Sequence, residues 1–511
     1  MAVEKEVTVI PPISPASSAL LEENIIRKHQ FGDGDGLYAK LQRFAGSHGI
    51  EQRGIERVPS DERSTSGMLP VALMWLTANL GVPTFALGVI AVPVYGLRFA
   101  DAALVIVLVN LVSVLPVCFF STLGPKFGLR QLVLSRFYFG WYGAKFVAIL
   151  NILSSLGWAT VNATVGAQLL HAVAPSIPGW ASITIIALAV LLVSLLGYPA
   201  VIAYERWAGI PLIAYLVITI TFLLPPTAFT PSPPPSVPPP AAGILAYTST
   251  IFGASAGWAL FAADYSVYQP ACAPFRGVFA WTFAGVYLPL ALPQLLGAAV
   301  ATGVVSDAAV RAAYDAGGVG GVLSQTLVPR LGRGGAGVCL VVLAGSVVGN
   351  NCPVVYSAGL GCQVVGEWGR RVPRFVWAVV GTGVCLAVGI PGYEGFMGWL
   401  SGFLMVFSYW VAIYVAVAGV EHFVFRRGEG GYEVGGETDR GRLPPGWAMA
   451  GAVGFGVLGT VLGMAQSWWV GPVGRLCGGA EGGDVGIEMA MGFTAVVYVV
   501  LRRLEKSWFG R

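Results

Sequence analysis

Long apolar runs, separated by short stretches that hold most of the charge, set the pattern of this chain. Twelve such runs, each about 18–25 residues long, can be drawn. A helix rises about 1.5 Å per residue, so runs of this length match a hydrocarbon core about 30 Å thick. The pattern predicts an all-α polytopic membrane protein with 12 transmembrane helices at 69–95, 101–123, 145–171, 179–198, 207–228, 243–265, 278–303, 336–360, 373–391, 396–421, 446–466 and 486–502. Residues 1–66 then form an N-terminal tail, 67–503 a transmembrane domain and 504–511 a short C-terminal tail. Lipid as solvent leaves backbone groups no partner but each other, so each polar or helix-breaking residue inside a span becomes a functional candidate.

Charge distribution gives the orientation. With the N-terminus inside, the inner loops hold thirteen Lys and Arg residues and the outer loops five. The positive-inside rule therefore places both termini in the cytoplasm. Hydrophobic residues make up 55% of the chain and charged residues 11%, against about 25% charged in a soluble domain. Little chain is left for a soluble catalytic domain, and no clustered set of His or acidic residues points to a membrane enzyme. Basic residues sit in loops and not in an aromatic-interleaved patch, so nucleic acid is not an expected partner. The seven cysteines are scattered without a CxxC pair and read as small packing residues; no metal site or cofactor is expected. The N-terminal stretch has no apolar h-region, so a cleaved signal peptide is not expected. Residues 231–240 (PSPPPSVPPP) read as a stiff outer linker, and 428–441 as a flexible glycine-rich inner loop.

Chemistry is expected where helices are interrupted. Span 1 contains Gly81-Val82-Pro83 and span 6 contains Gly253 and Gly257. Proline removes a backbone donor and glycine costs about 1 kcal/mol in a helix, so both places invite unwinding. Spans 1 and 6 open two five-span halves, about 69–228 and 243–421. Interrupted helices at matching positions mark the binding site of inverted-repeat transporters. The competing reading of Gly253 and Gly257 is close helix packing.

In span 3, Trp158 and Asn162 are four residues apart and share a helix face. Indole beside carboxamide suits a flat heterocycle, with a surface to stack on and a donor–acceptor pair for its edge. Asn162 bonding a neighbouring helix is the alternative. Trp258, just after the glycines of span 6, supplies a second stacking surface. Span 8 carries Asn350-Asn351-Cys352-Pro353, adjacent amides that need a partner or a wet cavity, followed by a proline that frees a carbonyl and is read as a further helix break. Asp264 is the one carboxylate well within a span; it reads either as a proton carrier or as a cap near the inner end.

These residues resemble a known family. Residues 53–63 (RGIERVPSDER) leading into Trp75-Leu76-Thr77-Ala78-Asn79, then Gly157-Trp158 to Gln168, Trp258 to Pro270, Asn350 to Pro353, and Ser408 to Arg426 are similar, in order, to the fungal purine–cytosine permeases of the nucleobase–cation symporter 1 (NCS1) family. The resemblance implies a LeuT-like 5+5 inverted repeat plus two C-terminal helices, about 446–502. It also implies proton-coupled uptake of cytosine and purines across the plasma membrane, with sodium left open as the ion. By position it makes Thr84 a hydroxyl near the substrate, Trp158 and Trp258 the stacking residues, and Asn162 and Asn351 binding residues. One departure stands out: Val354 occupies the place of an asparagine in the family's span-8 motif, Asn-Asn-x-Pro-Asn. Losing that hydrogen bond is worth about 1–3 kcal/mol, or about 5- to 150-fold in affinity. The competing functions are therefore a symporter for another heterocycle, such as a B6-type vitamin, and a transport-inactive sensor.

Overall fold

The computed structural model describes residues 53–63, 67–196, 209–223, 241–393, 396–433, 435–478 and 482–511. The polyproline stretch and residues 1–52 lie outside these. From Arg53 onward the chain forms one compact unit. Among the described residues it is built almost wholly from helices, with one short hairpin, β1 (Ala465–Gln466) and β2 (Trp469–Val470).

The first span is two helices. Pro70 opens α1 (Leu69–Asn79), which stops at Leu80; Gly81 is extended, and α2 (Val82–Val89) sets off 51° away. Pro83 does not break a helix here. It occupies the first turn of α2, where a missing N–H costs nothing. Next come α3 (Phe99–Ser113) and α4 (Leu115–Phe127), then α5 (Gln131–Val173), which is interrupted at Gly140 with φ 74°. Helices α6 (Gly179–Leu196), α7 (Gly209–Leu223) and α8 (Ala241–Ala256) follow. The sixth span is broken as expected, but not where both glycines sit. Gly253 lies inside α8, packed against Ser408, so its role is close packing. The α-helix ends at Gly257, where a 3-10 turn (Gly257–Leu260) leads into α9 (Ala262–Ser266).

Beyond it lie α10 (Phe275–Ser306), α11 (Ala308–Val365), α12 (Glu367–Arg370), α13 (Arg374–Gly392), α14 (Phe396–Val420), α15 (Trp447–Gly463), α16 (Pro472–Gly478) and α17 (Gly486–Phe509). Among the described residues six helices are long and apolar enough to cross a membrane, with the bent α1–α2 pair as a seventh and three shorter apolar helices besides. Leu104, Leu108 and Leu111 on α3, and Ile185, Leu188 and Leu192 on α6, point outward and are exposed. Such stripes are a liability in water and belong against lipid.

Three expectations change. Residues 131–139, read as inner loop, are helical, and so is most of the outer loop before span 8, where α11 runs through breaks at Gly318 and Gly332. The glycine-rich loop after α14 is not an unstructured tether: short turns at Glu429–Gly431 and Gly436–Thr438 bury Tyr432, Glu437 and Leu443. Tyr432 bonds His422 at 2.8 Å and its ring lies against Phe127 and Phe137. Composition concealed this because one buried aromatic outweighs many glycines.

Buried polar pairs tie helices together inside the core. Asn110 on α3 donates to Gln294 on α10 at 2.6 Å and accepts from Ser255 on α8. Arg53–Arg63 docks on the α4–α5 turn: Val58 N donates to Gly128 O at 2.9 Å and Arg63 to Pro125 O at 2.8 Å.

Candidate functional site

Both helix breaks meet at one cavity. It is partly open, with about 40 Å³ accessible to a water-sized group. Asn79, Pro83, Thr84 and Leu87 come from the first break, and Gly257, Trp258 and Phe261 from the second. Trp158 and Asn162 of α5, Asn350 and Val354 of α11, Leu290 of α10 and Phe407 of α14 complete most of the wall.

Side chains satisfy the backbone at the first break. Thr84 Oγ1 donates to Asn79 O at 2.6 Å, and Asn350 Nδ2 donates to Ala78 O. Val82 N donates to Ser346 Oγ at 3.1 Å. Without these, freed carbonyls and N–H groups would sit unpaired in a low-dielectric interior, at several kcal/mol each. Asn350 and Ser346 hold α11 and the broken helix in register, and Thr84 ties α2 back to α1.

The structure brings the two indoles, Trp158 and Trp258, to one cavity. Trp158 is fixed by edge contacts to Phe403 and Phe407, with ring centroids 5.9 and 5.8 Å away; these two phenyl rings are themselves stacked. Trp258 is fixed by Trp75 at 5.6 Å and Phe261 at 6.0 Å. Phe407 was not foreseen. Its only signal is an aromatic pair at i and i+4 in a span already rich in aromatics.

The amide cluster divides its labour differently from the expectation. Asn162 Nδ2 donates to Asn350 Oδ1 at 2.5 Å and to Asn351 Oδ1 at 2.7 Å. Asn350 lines the cavity, whereas Asn351 stands behind Asn162 and donates to Ala159 O at 3.0 Å. Adjacent residues on a helix point about 100° apart, so only packing decides which of the two faces the hole. The network also sets every amide's orientation. Asn350 and Asn351 must turn their NH₂ groups to backbone carbonyls, which turns both side-chain oxygens toward Asn162.

Asp264 is buried but does not line the cavity. Its Oδ1 accepts from Gln131 N at 2.7 Å, at the start of α5, and its Oδ2 from Ser357 at 3.0 Å. Arg130 donates to the Asp264 carbonyl at 2.7 Å and to the hydroxyls of Tyr268 and Tyr356 at 3.0 Å. Tyr265 bonds Pro353 O at 2.6 Å and Ser357 at 3.0 Å, and its ring abuts Trp75. Asp264 therefore caps α5 and pins α9 to α11 just past Pro353. Pro353, expected to break span 8, does not: α11 continues through it. No cluster of metal-ligating side chains occurs among the described residues.

A bundle of apolar helices, two of them interrupted around a buried aromatic and amide-lined cavity, defines a multi-pass membrane permease and not an enzyme. The fold is that of the LeuT-like transporters: the inward-facing structure of Mhp1 superposes with a TM-score of 0.60 over 90% of this chain and 95% of that one, at 14% identity. The chain belongs to the family of permeases for cytosine/purines, uracil, thiamine and allantoin, whose model matches residues 57–471. It is 44% identical to the purine-cytosine permease fcyB of Emericella nidulans, over 98% of both chains. To the vitamin B6 transporter TPN1 of Saccharomyces cerevisiae it is 30% identical, over 93% of this chain and 90% of the relative.

Proposed function

We propose that this permease imports cytosine and purines together with protons across the plasma membrane, with both termini in the cytoplasm. The observation that carries the reading is the cavity itself, in a chain so similar to a purine-cytosine permease. Two interrupted helices converge on it, and it offers two indole faces and an amide edge to a planar ring. The ring stacks between Trp158 and Trp258, Asn162 reads its edge, and Thr84 stands beside it. Asn351 acts one step back by orienting Asn162.

In this reading the helices compose 12 spans, as a 5+5 inverted repeat plus α15 and α17. The spans holding α1–α2, α3–α4, α8–α9 and α10 rock against the rest. Asp264 is the intramembrane group that takes the coupling proton. It connects to the cavity wall through Ser357, Tyr265 and the Pro353 carbonyl, so its protonation loosens the pin between α9 and α11. A B6-type vitamin is the less favoured substrate, the likeness to fcyB being the greater. Sensing without transport has no observation in its favour.

The test is uptake of radiolabelled cytosine and adenine in yeast lacking its own permeases, with and without a protonophore. Protonophore-sensitive accumulation is expected. A chain that reaches the plasma membrane and accumulates neither base sinks the nucleobase reading and makes Val354 the leading clue to a different heterocycle.

A further inference from the structure

Each amide and hydroxyl donor group of the cavity wall already makes at least one hydrogen bond within the protein. Asn79 Nδ2 donates to Trp75 O at 2.9 Å, and Asn162 Nδ2 to Asn350 and Asn351. Asn350 Nδ2 is held by Ala78 O, and the Thr84 hydroxyl by Asn79 O. Two acceptors, in contrast, have no partner at all. Asn79 Oδ1 and Asn162 Oδ1 are buried without any hydrogen-bond partner, on residues that are 0% and 1% exposed. Among the cavity-lining residues these are the two orphaned side-chain atoms. Leaving a buried carbonyl oxygen unpaired is unfavourable, and two in one wall, both of the same polarity, call for donors from outside the protein.

We propose that Asn79 is a second ligand-reading residue, and that with Asn162 it forms an acceptor pair selecting heterocycles that present at least two N–H donors. This rests on the nucleobase reading above. Asn79 ends α1, on the broken span, whereas Asn162 belongs to α5. A ligand donating to both bridges these two elements, so recognition draws the broken helix onto α5. A ring able to fill only one acceptor leaves the other unpaired and the two elements unlinked. Val354, on the same wall, has no side-chain hydrogen bond to give.

Competition against radiolabelled adenine uptake in permease-deficient yeast provides the test. Adenine is compared with purine, which lacks the amino group, and with 9-methyladenine, which lacks the ring N–H. The parent is expected to prefer adenine to at least one of these by about 10-fold or more, the value of one buried hydrogen bond. Asn79→Leu should collapse that preference while changing affinity for the donor-poor analogue little. Asn79→Ser keeps an acceptor oxygen, should retain part of the preference, and replaces the leucine variant if that fails to reach the surface. If Asn79 merely packs or caps α1, all three ligands weaken together with unchanged ratios, which overturns the inference alone. Binding to the purified protein, read by tryptophan fluorescence, gives the same ratios where uptake is too low. A parent that neither accumulates nor binds adenine overturns the nucleobase reading and this inference with it.

Discussion

Two apolar side chains of the cavity wall, Trp158 and Val354, bring the proposed reading to a test at single residues. Trp158 is braced by Phe403 and Phe407, so its indole is presented in one orientation. Stacking on an aromatic side chain is worth about 1–3 kcal/mol per base. Trp158→Ala should therefore cut uptake at sub-saturating substrate to below about one-tenth, with unchanged surface fluorescence of a tagged protein; normal uptake would rule out stacking there. Val354 lines the cavity and is nearly buried. Val354→Asn should raise apparent affinity for cytosine or adenine by about 5- to 150-fold, since a carboxamide adds a hydrogen bond that valine cannot make. A rise in KM instead would mark the position as one of shape. At this scale the sequence was partly legible. The i, i+4 spacing put Trp158 and Asn162 on one face, and they do share the cavity. It did not separate Asn350 from Asn351, nor show that Asn79 does more than precede a break, because only the packed neighbours use up one end of each amide and leave the other.

Elements are held by close backbone contact. A methyl group on Gly88 would strike the Gln294 carbonyl, and one on Gly297 the Phe85 carbonyl, so α2 and α10 meet with nothing between them. Gly88→Ala should lower the thermal midpoint of the detergent-solubilised protein by several degrees and reduce its surface level. Gly454→Ala, where nothing lies within 4 Å, is the control and should leave both unchanged. The break between α1 and α2 depends on Ser346 capping Val82 N. Ser346→Ala leaves that N–H unpaired, at about 1–3 kcal/mol, and should slow uptake by lowering Vmax more than it raises KM. Equal loss of binding for all ligands would place Ser346 at the site and not at the hinge. The two breaks themselves were legible through Gly81 and Gly257, whereas Pro83 proved to open the second helix. Gly253 was not distinguishable from Gly257, because a glycine that packs and a glycine that unwinds look alike until the neighbouring helix is known.

Across the whole molecule, α15 and α17 are fastened to the end of α14 by charge. Arg502 on α17 bonds Glu421, at the end of α14, at 2.9 Å and Glu505 at 2.8 Å, all three being buried. Glu505 in turn accepts from Gly446 N and Ala448 N, at the start of α15. Removing one partner of a buried ion pair costs about 3–5 kcal/mol, because the other is left charged and alone. Glu421→Gln should thus destabilise strongly, and pairing it with Arg502→Met should restore part of the loss. Additive losses in that cycle, read as thermal midpoints, would mean the two do not interact. Run lengths by themselves determined that this is a helical membrane protein, because hydrocarbon admits no other use for so many apolar stretches of that length. Order along the chain was also enough to show its kin. The tertiary structure alone decided which amide faces the cavity, that a glycine-rich loop folds over Tyr432, that helix extends past the expected ends of spans 3 and 8, and that Asp264 caps a helix end outside the cavity wall. Those outcomes turn on side chains from helices far apart in sequence meeting one another, and no local pattern encodes a meeting.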